Sequence, residues 1–227
     1  MGEILREAKQ TALLLIDMHR GHLDPEVATL PVDKVWSKEI LSNTKALLQS
    51  ARDLGLNVIY VTTVNRVDHQ GLPVDSLGNA NPYCSWRMAE GKLSAAQKTA
   101  RFHNLEGSVQ TQIMQEIQPL PGEHVVVKKR YSAFHGTDLD LLLRCLRVNT
   151  IGVVGVNTNN CIMATTIDGM NHDYGMIVIS DCVASSYGRH LHETALQLIE
   201  NTYGWVMKSE AFLSLIESKK DLSKLEK

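Results

Sequence analysis

Residues 150–174 read TIGVVGVNTNNCIMATTIDGMNHDY, and this stretch decides the predicted fold. Its first seven residues are all β-branched except two glycines, which is typical of a short buried strand. The residues that follow predict a helix over 159–174, and Gly175 comes next as a residue that commonly ends a helix. A buried strand that leads directly into a helix indicates a parallel sheet covered by helices.

The same alternation continues on both sides of this stretch. Residues 65–107 interrupt it with a polar, weakly periodic segment, which predicts loops and short helices over an active site. We therefore expect one domain over residues 1–227 with an α/β fold, a three-layer α/β/α arrangement around a doubly wound, mostly parallel six-stranded sheet ordered 3-2-1-4-5-6. The predicted strands cover residues 11–17, 57–63, 123–128, 150–156, 176–181 and 205–208. The predicted helices cover residues 37–54, 109–117, 137–146, 159–174 and 190–203, and a last one begins at Ser209.

Composition excludes several classes of function. The net charge is -2, which gives no reason to expect nucleic acid or an anionic membrane as a partner. The longest apolar runs are far too short to span a bilayer, and the charged N-terminus lacks a signal-peptide pattern. We therefore expect a cytoplasmic protein, whose four cysteines are free thiols.

Three reactive side chains stand next to predicted strand ends. Asp17 ends the first strand, Lys128 ends the third, and Cys161 lies just inside the helix that follows the fourth. Taken singly, Asp17 could equally cap a turn, Lys128 could be a surface lysine and Cys161 could be a core residue. Because ligands bind at the carboxyl edge of open parallel sheets, their combination predicts an active site. A helix N-terminus would favour the thiolate form of Cys161.

Four segments resemble the isochorismatase-like cysteine hydrolases, a family that includes nicotinamidases, N-carbamoylsarcosine amidase and ureidoacrylate amidohydrolase. They occur in the family's order between Thr11 and Trp205. These segments are ALLLIDMH at 12–19, VVVKKRYSAFHGTDL at 125–139, GVNTNNCIMATTIDG at 155–169 and VISDCVAS at 178–185.

The resemblance implies a catalytic triad of Asp17, Lys128 and Cys161. Lys129 is a competing candidate, but the family pattern K-x-R-Y-S-x-F aligns Lys128 three residues before Tyr131. A cysteine nucleophile with an acid–base partner fits an amidohydrolase that works through a thioester. The resemblance also implies a cis Val156–Asn157 peptide, with the backbone N–H groups of Asn157 and Cys161 as the oxyanion hole.

The predicted substrate is a small carbamoyl, ureido or primary-amide compound whose linear C–N bond is hydrolysed with release of ammonia. An alternative is a nicotinamidase, and an alternative of a different class is a non-catalytic binding or assembly subunit of the same fold. The side chains expected to reach the substrate are Arg66, Arg130, Tyr131, Asn160 and His19.

We expect no cofactor and no metal. Some nicotinamidases bind a metal through an Asp-x-His pair after the second strand, whereas Asp68 and His69 are adjacent here. By resemblance, we also expect a homo-oligomer, a dimer or a tetramer.

Overall fold

A computed structural model describes residues 8–89 and 102–225 of the chain. All six strands belong to one parallel sheet in the order β3-β2-β1-β4-β5-β6, which confirms the predicted order. The strands are β1 (Thr11–Ile16), β2 (Asn57–Thr63), β3 (His124–Lys128), β4 (Thr150–Val156), β5 (Gly175–Ala184) and β6 (Trp205–Met207).

Helices cover both faces of this sheet. They are α1 (Arg20–Leu23), α2 (Lys34–Leu54), α3 (Leu77–Ala80), α4 (Pro82–Ala89), α5 (Leu139–Cys145), α6 (Met163–Asn171), α7 (Arg189–Leu198) and α8 (Ser209–Leu225). Two π-helical turns, Thr158–Ile162 and Ile199–Tyr203, adjoin α6 and α7.

The central strands place alternate side chains in two separate cores. In β1, Leu13 and Leu15 pack in one core with residues of α2 and α8, among them Leu47 and Phe212. Leu14 and Ile16 belong to the other core, which includes Leu139 and Leu143 of α5. Successive residues of a strand point to opposite faces, so a fully buried strand must be apolar on both sides. The three-layer arrangement follows from this pattern.

Helix α2 starts three residues earlier than predicted. The side chain of Asp33 accepts hydrogen bonds from the N–H groups of Val35 and Trp36, at 3.0 and 3.1 Å, which caps the first turn. The helix ends at Gly55, as predicted, in a left-handed conformation with φ of 79°.

The predicted helix over residues 109–117 is wrong. The structure has two separate 3₁₀ turns there, Val109–Thr111 and Gln115–Ile117. Between them, Ile113 forms an antiparallel bridge with His19, and the N–H of Arg20 donates to the Gln112 carbonyl at 2.9 Å. The chain extends here because its backbone pairs with the segment that follows β1, next to the site.

Strand β5 is longer than predicted, because a polar residue inside it has internal partners. Asp181 accepts hydrogen bonds from the N–H and the hydroxyl of Ser209, at 2.8 and 2.7 Å. The strand therefore continues to Ala184. In the part of the chain that the structure describes, no helix is long and apolar enough to cross a membrane.

Candidate active site

The sheet brings the three predicted residues to one edge. Thr63, the last residue of β2, is the register partner of Lys128 on β3. Asp17 follows β1, the next strand along the sheet, and Cys161 follows β4. Lys128 and Asp17 are thus separated by one intervening strand, a distance of about 9.5 Å at the usual strand spacing. Only a long side chain can reach across it.

The ammonium group of Lys128 contacts both of the other predicted triad residues. It lies 2.8 Å from Oδ2 of Asp17 and 3.2 Å from Sγ of Cys161. It also donates to the Thr63 hydroxyl at 2.6 Å and to the Arg130 carbonyl at 3.2 Å. Lys128 is completely buried, so these partners replace the water that an ammonium ion requires.

Asp17 is held by β2 rather than by its own strand. Its N–H donates to the Val61 carbonyl at 2.8 Å, and its Oδ1 accepts from the N–H of Thr63 at 2.7 Å. Its φ is 53°, a left-handed conformation that is uncommon outside glycine and better tolerated by Asp and Asn. This turn directs the carboxylate into the site as β1 ends.

Cys161 lies in the π-helical turn that precedes α6. The carbonyl of Asn157 accepts from the N–H groups of Asn160 and Ile162, at 3.0 and 3.2 Å, which closes this turn. The Val156–Asn157 peptide is cis. Such π-helical turns are frequent at functional sites, and this one places the sulfur at the start of a helix.

Gly155 permits this turn to approach β1 closely. Its φ is 118°, and a Cβ atom there would overlap the Ile16 carbonyl oxygen. The pairing of β4 with β5 also shifts register between Val153 and Gly155. The strand therefore bends just before the turn that carries Cys161.

The two charged members of the triad stabilise each other. Burial would raise the pKa of Asp17, but the nearby Lys128 ammonium lowers it well below its usual value. Burial would lower the pKa of Lys128, but Asp17, and Cys161 after it, raise it above its usual value. The resting pair is a carboxylate and an ammonium ion.

The resting form of Cys161 differs from the prediction. Burial raises the pKa of this thiol to about 12, Lys128 opposes the rise, and Asp17 adds to it. The helix N-terminus was expected to favour a thiolate, but the sulfur is buried and faces a carboxylate. With its pKa raised in this way, the resting side chain of Cys161 is a neutral thiol.

Three of the residues predicted to bind substrate line the cleft above the triad. The cleft has a volume of about 110 Å³, which suits a small molecule. Arg130, Tyr131 and Asn160 line it together with Asp17, Lys128 and Cys161. One terminal nitrogen of Arg130 donates to the carbonyls of Asp75 and Lys129, at 2.9 and 2.8 Å, which holds the guanidinium in place.

Arg66, Lys129 and His19 take different positions relative to the predicted triad. Arg66 has a side chain that is 69% exposed, with its Nε 3.7 Å from Asp75, so the structure does not bring it to the triad. Lys129 also lines the cleft, but its ammonium donates to the Val64 carbonyl and lies 3.9 Å from Asp75. His19 is completely buried, with Nε2 3.6 Å from Oδ1 of Asp17.

Several site residues were missed by the sequence analysis. Thr63 reads as an ordinary β-branched residue of a strand, and only its register with Lys128 shows its contact with the ammonium. His22 and His103 lie beside His19, although 81 positions separate His22 from His103 in the sequence. Burial lowers the pKa of His22 to about 3 and that of His103 well below its usual value. The spacing H-R-G-H at 19–22 was the one local signal for a histidine cluster.

This fold and this site define the class of protein. The family model described as the isochorismatase domain matches residues 11–211. The chain belongs to the isochorismatase family, as the resemblance of its motifs predicted. The match extends from the first residue of β1 into α8, so it includes all three positions of the predicted triad.

Individual relatives are similar to this chain over most of its length. A ureidoacrylate amidohydrolase from Acinetobacter baylyi is 27% identical over 95% of this chain and 87% of its own length. A solved cysteine hydrolase from Pseudomonas syringae is 26% identical, has a TM-score of 0.74, and covers 94% of this chain and 95% of its own. A nicotinamidase from Bacillus subtilis is 22% identical with a TM-score of 0.68, over 88% of this chain and 99% of its own, and this likeness concerns the fold alone.

Proposed function

We propose that this protein is a cysteine-dependent amidohydrolase that cleaves the linear C–N bond of a small carbamoyl, ureido or primary-amide substrate and releases ammonia. It is a hydrolase of carbon–nitrogen bonds other than peptide bonds. One observation carries the proposal: a single buried ammonium, that of Lys128, contacts both the Asp17 carboxylate and the Cys161 sulfur, at 2.8 and 3.2 Å.

The roles of the triad follow from its resting protonation. Cys161 is a neutral thiol, so Asp17 accepts its proton as the sulfur attacks the substrate carbonyl. Lys128 keeps Asp17 ionised beforehand and stabilises the negative sulfur as it forms. The new C–S bond gives a tetrahedral intermediate. Its collapse breaks the C–N bond, and the proton held by Asp17 passes to the leaving nitrogen, which departs as ammonia.

The second half of the reaction regenerates the thiol. The acyl group remains on Cys161 as a thioester. Water attacks this thioester and loses a proton to Asp17, and the C–S bond breaks. The proton returns to the sulfur as the acid product leaves, so Asp17 acts as base and then as acid in each half-reaction.

The oxyanion would be bound by backbone N–H groups of Asn157 and Cys161. The side chain of Asn157 is already engaged, since its Oδ1 accepts from the N–H of Ser186 at 2.6 Å. The hydroxyl of Thr158 lies 3.0 Å from the Ala184 carbonyl and 2.8 Å from Nδ1 of His192, which fixes the turn from the far side. Preorganised donors of this kind are the usual means of stabilising a tetrahedral oxyanion.

The substrate we propose is a ureido acid. Lys129 and Arg130 add positive charge to the lining near the triad, which favours a substrate that carries a carboxylate besides its scissile bond. The 27% identical relative acts on ureidoacrylate, a ureido acid. Tyr131 and Asn160 also line the cleft and would contact the same substrate.

A substrate panel tests this proposal. Ammonia release is measured with ureidoacrylate, 3-ureidopropionate, N-carbamoyl amino acids, simple primary amides and nicotinamide. We expect the highest kcat/KM with a ureido acid and no measurable release from Cys161→Ala. Preference for nicotinamide would overturn the substrate assignment, and no release from any compound would support a non-catalytic binding or assembly subunit.

Three further expectations belong to this proposal. Residues 1–227 would act as one domain, the enzyme would work in the cytoplasm, and it would assemble as a homo-oligomer, a dimer or a tetramer.

A further inference from the structure

We propose that His19, His22 and His103 form a binding site for a divalent transition metal ion, such as Zn²⁺, beside the triad. The three rings are buried, and one nitrogen of each lies within 4.8 Å of the others. The sequence predicted no metal, because Asp68 and His69 are adjacent rather than spaced by one residue. Those two residues lie in a separate turn, where Oδ1 of Asp68 accepts from the N–H groups of Gln70 and Leu72.

The ring nitrogens of two histidines are spaced for a shared ion. Nε2 of His22 and Nε2 of His103 are 3.1 Å apart. Two ligands at 2.0–2.1 Å from a tetrahedral zinc ion are about 3.4 Å apart. Small shifts of the rings would therefore place both nitrogens in the coordination shell.

Metal-binding histidines usually donate their other ring N–H to a nearby acceptor, and both of these rings have a hydrogen-bond partner at Nδ1. Nδ1 of His22 lies 2.8 Å from the Leu30 carbonyl, which can only accept, so the ring proton is on Nδ1. Nδ1 of His103 lies 2.7 Å from the hydroxyl of Thr29, which itself donates toward Gln110 at 3.5 Å. When Nδ1 of His103 carries the ring proton and donates to this hydroxyl, the lone pairs of both neutral rings are on Nε2, and these are the atoms that face each other. Two lone pairs in contact repel, whereas a cation between them binds both.

Asn104 supplies independent evidence for a missing partner. Its Nδ2 lies 2.9 Å from Nε2 of His19 and 2.9 Å from Nε2 of His103, while its Oδ1 is buried with no hydrogen-bond partner. A half-turn of this amide would direct Oδ1 toward the ring nitrogens, where it could accept a hydrogen bond from water bound to an ion there. Nδ1 of His19 is also buried without a partner. Gly21 leaves the space for the amide, because a Cβ atom there would overlap Asn104 Oδ1.

The site opens toward the reaction centre. His22 and His103 line the same cleft as Cys161, and Nε2 of His19 is 3.6 Å from Oδ1 of Asp17. Three protein ligands and an open position are typical of zinc sites that accept water or another small ligand. The imidazole ligands favour zinc, iron or cobalt over magnesium or calcium. We infer that the open position faces the cleft and binds water or an oxygen or nitrogen atom of its occupant.

Metal binding is tested directly, without an activity assay. Protein without a polyhistidine tag is treated with a chelator, dialysed, and titrated with Zn²⁺ by calorimetry and with Co²⁺ by visible absorption. We expect one ion per chain, a rise in Tm on adding Zn²⁺, and Co²⁺ bands without a sulfur charge-transfer band. The affinity should fall at least about 100-fold in His22→Gln and in His103→Gln.

Two control variants make the outcome specific. His124→Gln replaces an exposed histidine of β3 and should bind as the wild type does. Cys161→Ala should also keep full metal affinity, which separates this site from the triad. Absence of stoichiometric binding by the wild type, or equal affinity in the two cluster variants, would overturn the proposal. If a cluster variant fails to fold, the wild-type stoichiometry and the Co²⁺ spectrum test the proposal instead. A sulfur charge-transfer band would assign the ion to Cys161 and overturn it.

Discussion

The ammonium of Lys128 lies 2.8 Å from Oδ2 of Asp17. Lys128 is the last residue of β3 and Asp17 follows β1, and strand β2 lies between these two strands in the sheet. Both side chains are almost entirely inaccessible to solvent. A buried ion pair of this kind is costly to form and even more costly to break, since removal of one partner leaves a buried charge. In the proposed mechanism, this pair keeps a base ionised beside a thiol that must lose a proton.

Replacing Asp17 with Asn should remove the base and leave the cleft intact. The amide has nearly the same shape but cannot shuttle a proton, so kcat should fall by about three to four decades. Steady-state ammonia release measures this, with circular dichroism to show that the variant is folded. Asp53→Asn, at an exposed position of α2, is the matched control and should keep wild-type kcat. Equal activity of the two variants would remove Asp17 from the mechanism.

The two adjacent lysines should differ sharply. Lys128→Met leaves the Asp17 carboxylate buried and unpaired, which should cost about 3–5 kcal/mol of the free energy of unfolding and nearly all activity. Lys129→Met should keep both stability and kcat, with any change confined to KM, because its ammonium contacts the Val64 carbonyl instead. Urea denaturation and kinetics measure the two effects. The reverse ranking would make Lys129 the catalytic lysine.

Thr63 is expected to position Lys128. Its hydroxyl accepts from the ammonium at 2.6 Å, so Thr63→Val removes that acceptor without changing the side-chain volume much. Loss of a hydrogen bond to a charged group costs about 1.5–3 kcal/mol, which corresponds to a fall in kcat of about 10- to 100-fold. KM should change little, and Thr63→Ser should restore most of the rate. A rise in KM at constant kcat would instead indicate a role in substrate binding.

The alkylation rate of Cys161 should depend steeply on pH. Because burial raises the pKa of this thiol to about 12, only the small thiolate fraction reacts, and this fraction grows about tenfold per pH unit below the pKa. Labelling by iodoacetamide, followed on the peptide that contains Cys161, should therefore keep rising between pH 7 and pH 10. Asp17→Asn should label faster than the wild type at pH 7.5, since Asp17 raises the pKa of Cys161. A plateau near neutral pH in the wild type would show a resting thiolate.

The sheet order could be predicted from the sequence, because the alternation of strands and helices is a local pattern. The catalytic triad stays a prediction, and the structure brings its three residues together. Each strand, such as residues 150–156, is a β-branched run, and the carboxyl ends of parallel strands share one edge. The helix at 109–117 was predicted wrongly because the backbone conformation there depends on pairing of Ile113 with His19, which no local pattern reveals.

The environment of the site also required the structure. Thr63 lies beside Lys128 because of the strand register. His103 contacts His22, which is 81 positions away in the sequence. The neutral resting state of Cys161 depends on burial and on the nearby Asp17 carboxylate. Sequence spacing placed the thiol at a helix start but revealed neither its burial nor the nearby carboxylate.

The most direct test of the proposed mechanism is ammonia release by Cys161→Ala from the best substrate of the panel. Alanine is small and a good helix former, so the variant should keep the fold, as circular dichroism and Tm can verify. Without the sulfur no thioester can form, and we expect no release above the uncatalysed rate. Ammonia release within tenfold of the wild-type rate would contradict covalent catalysis by Cys161.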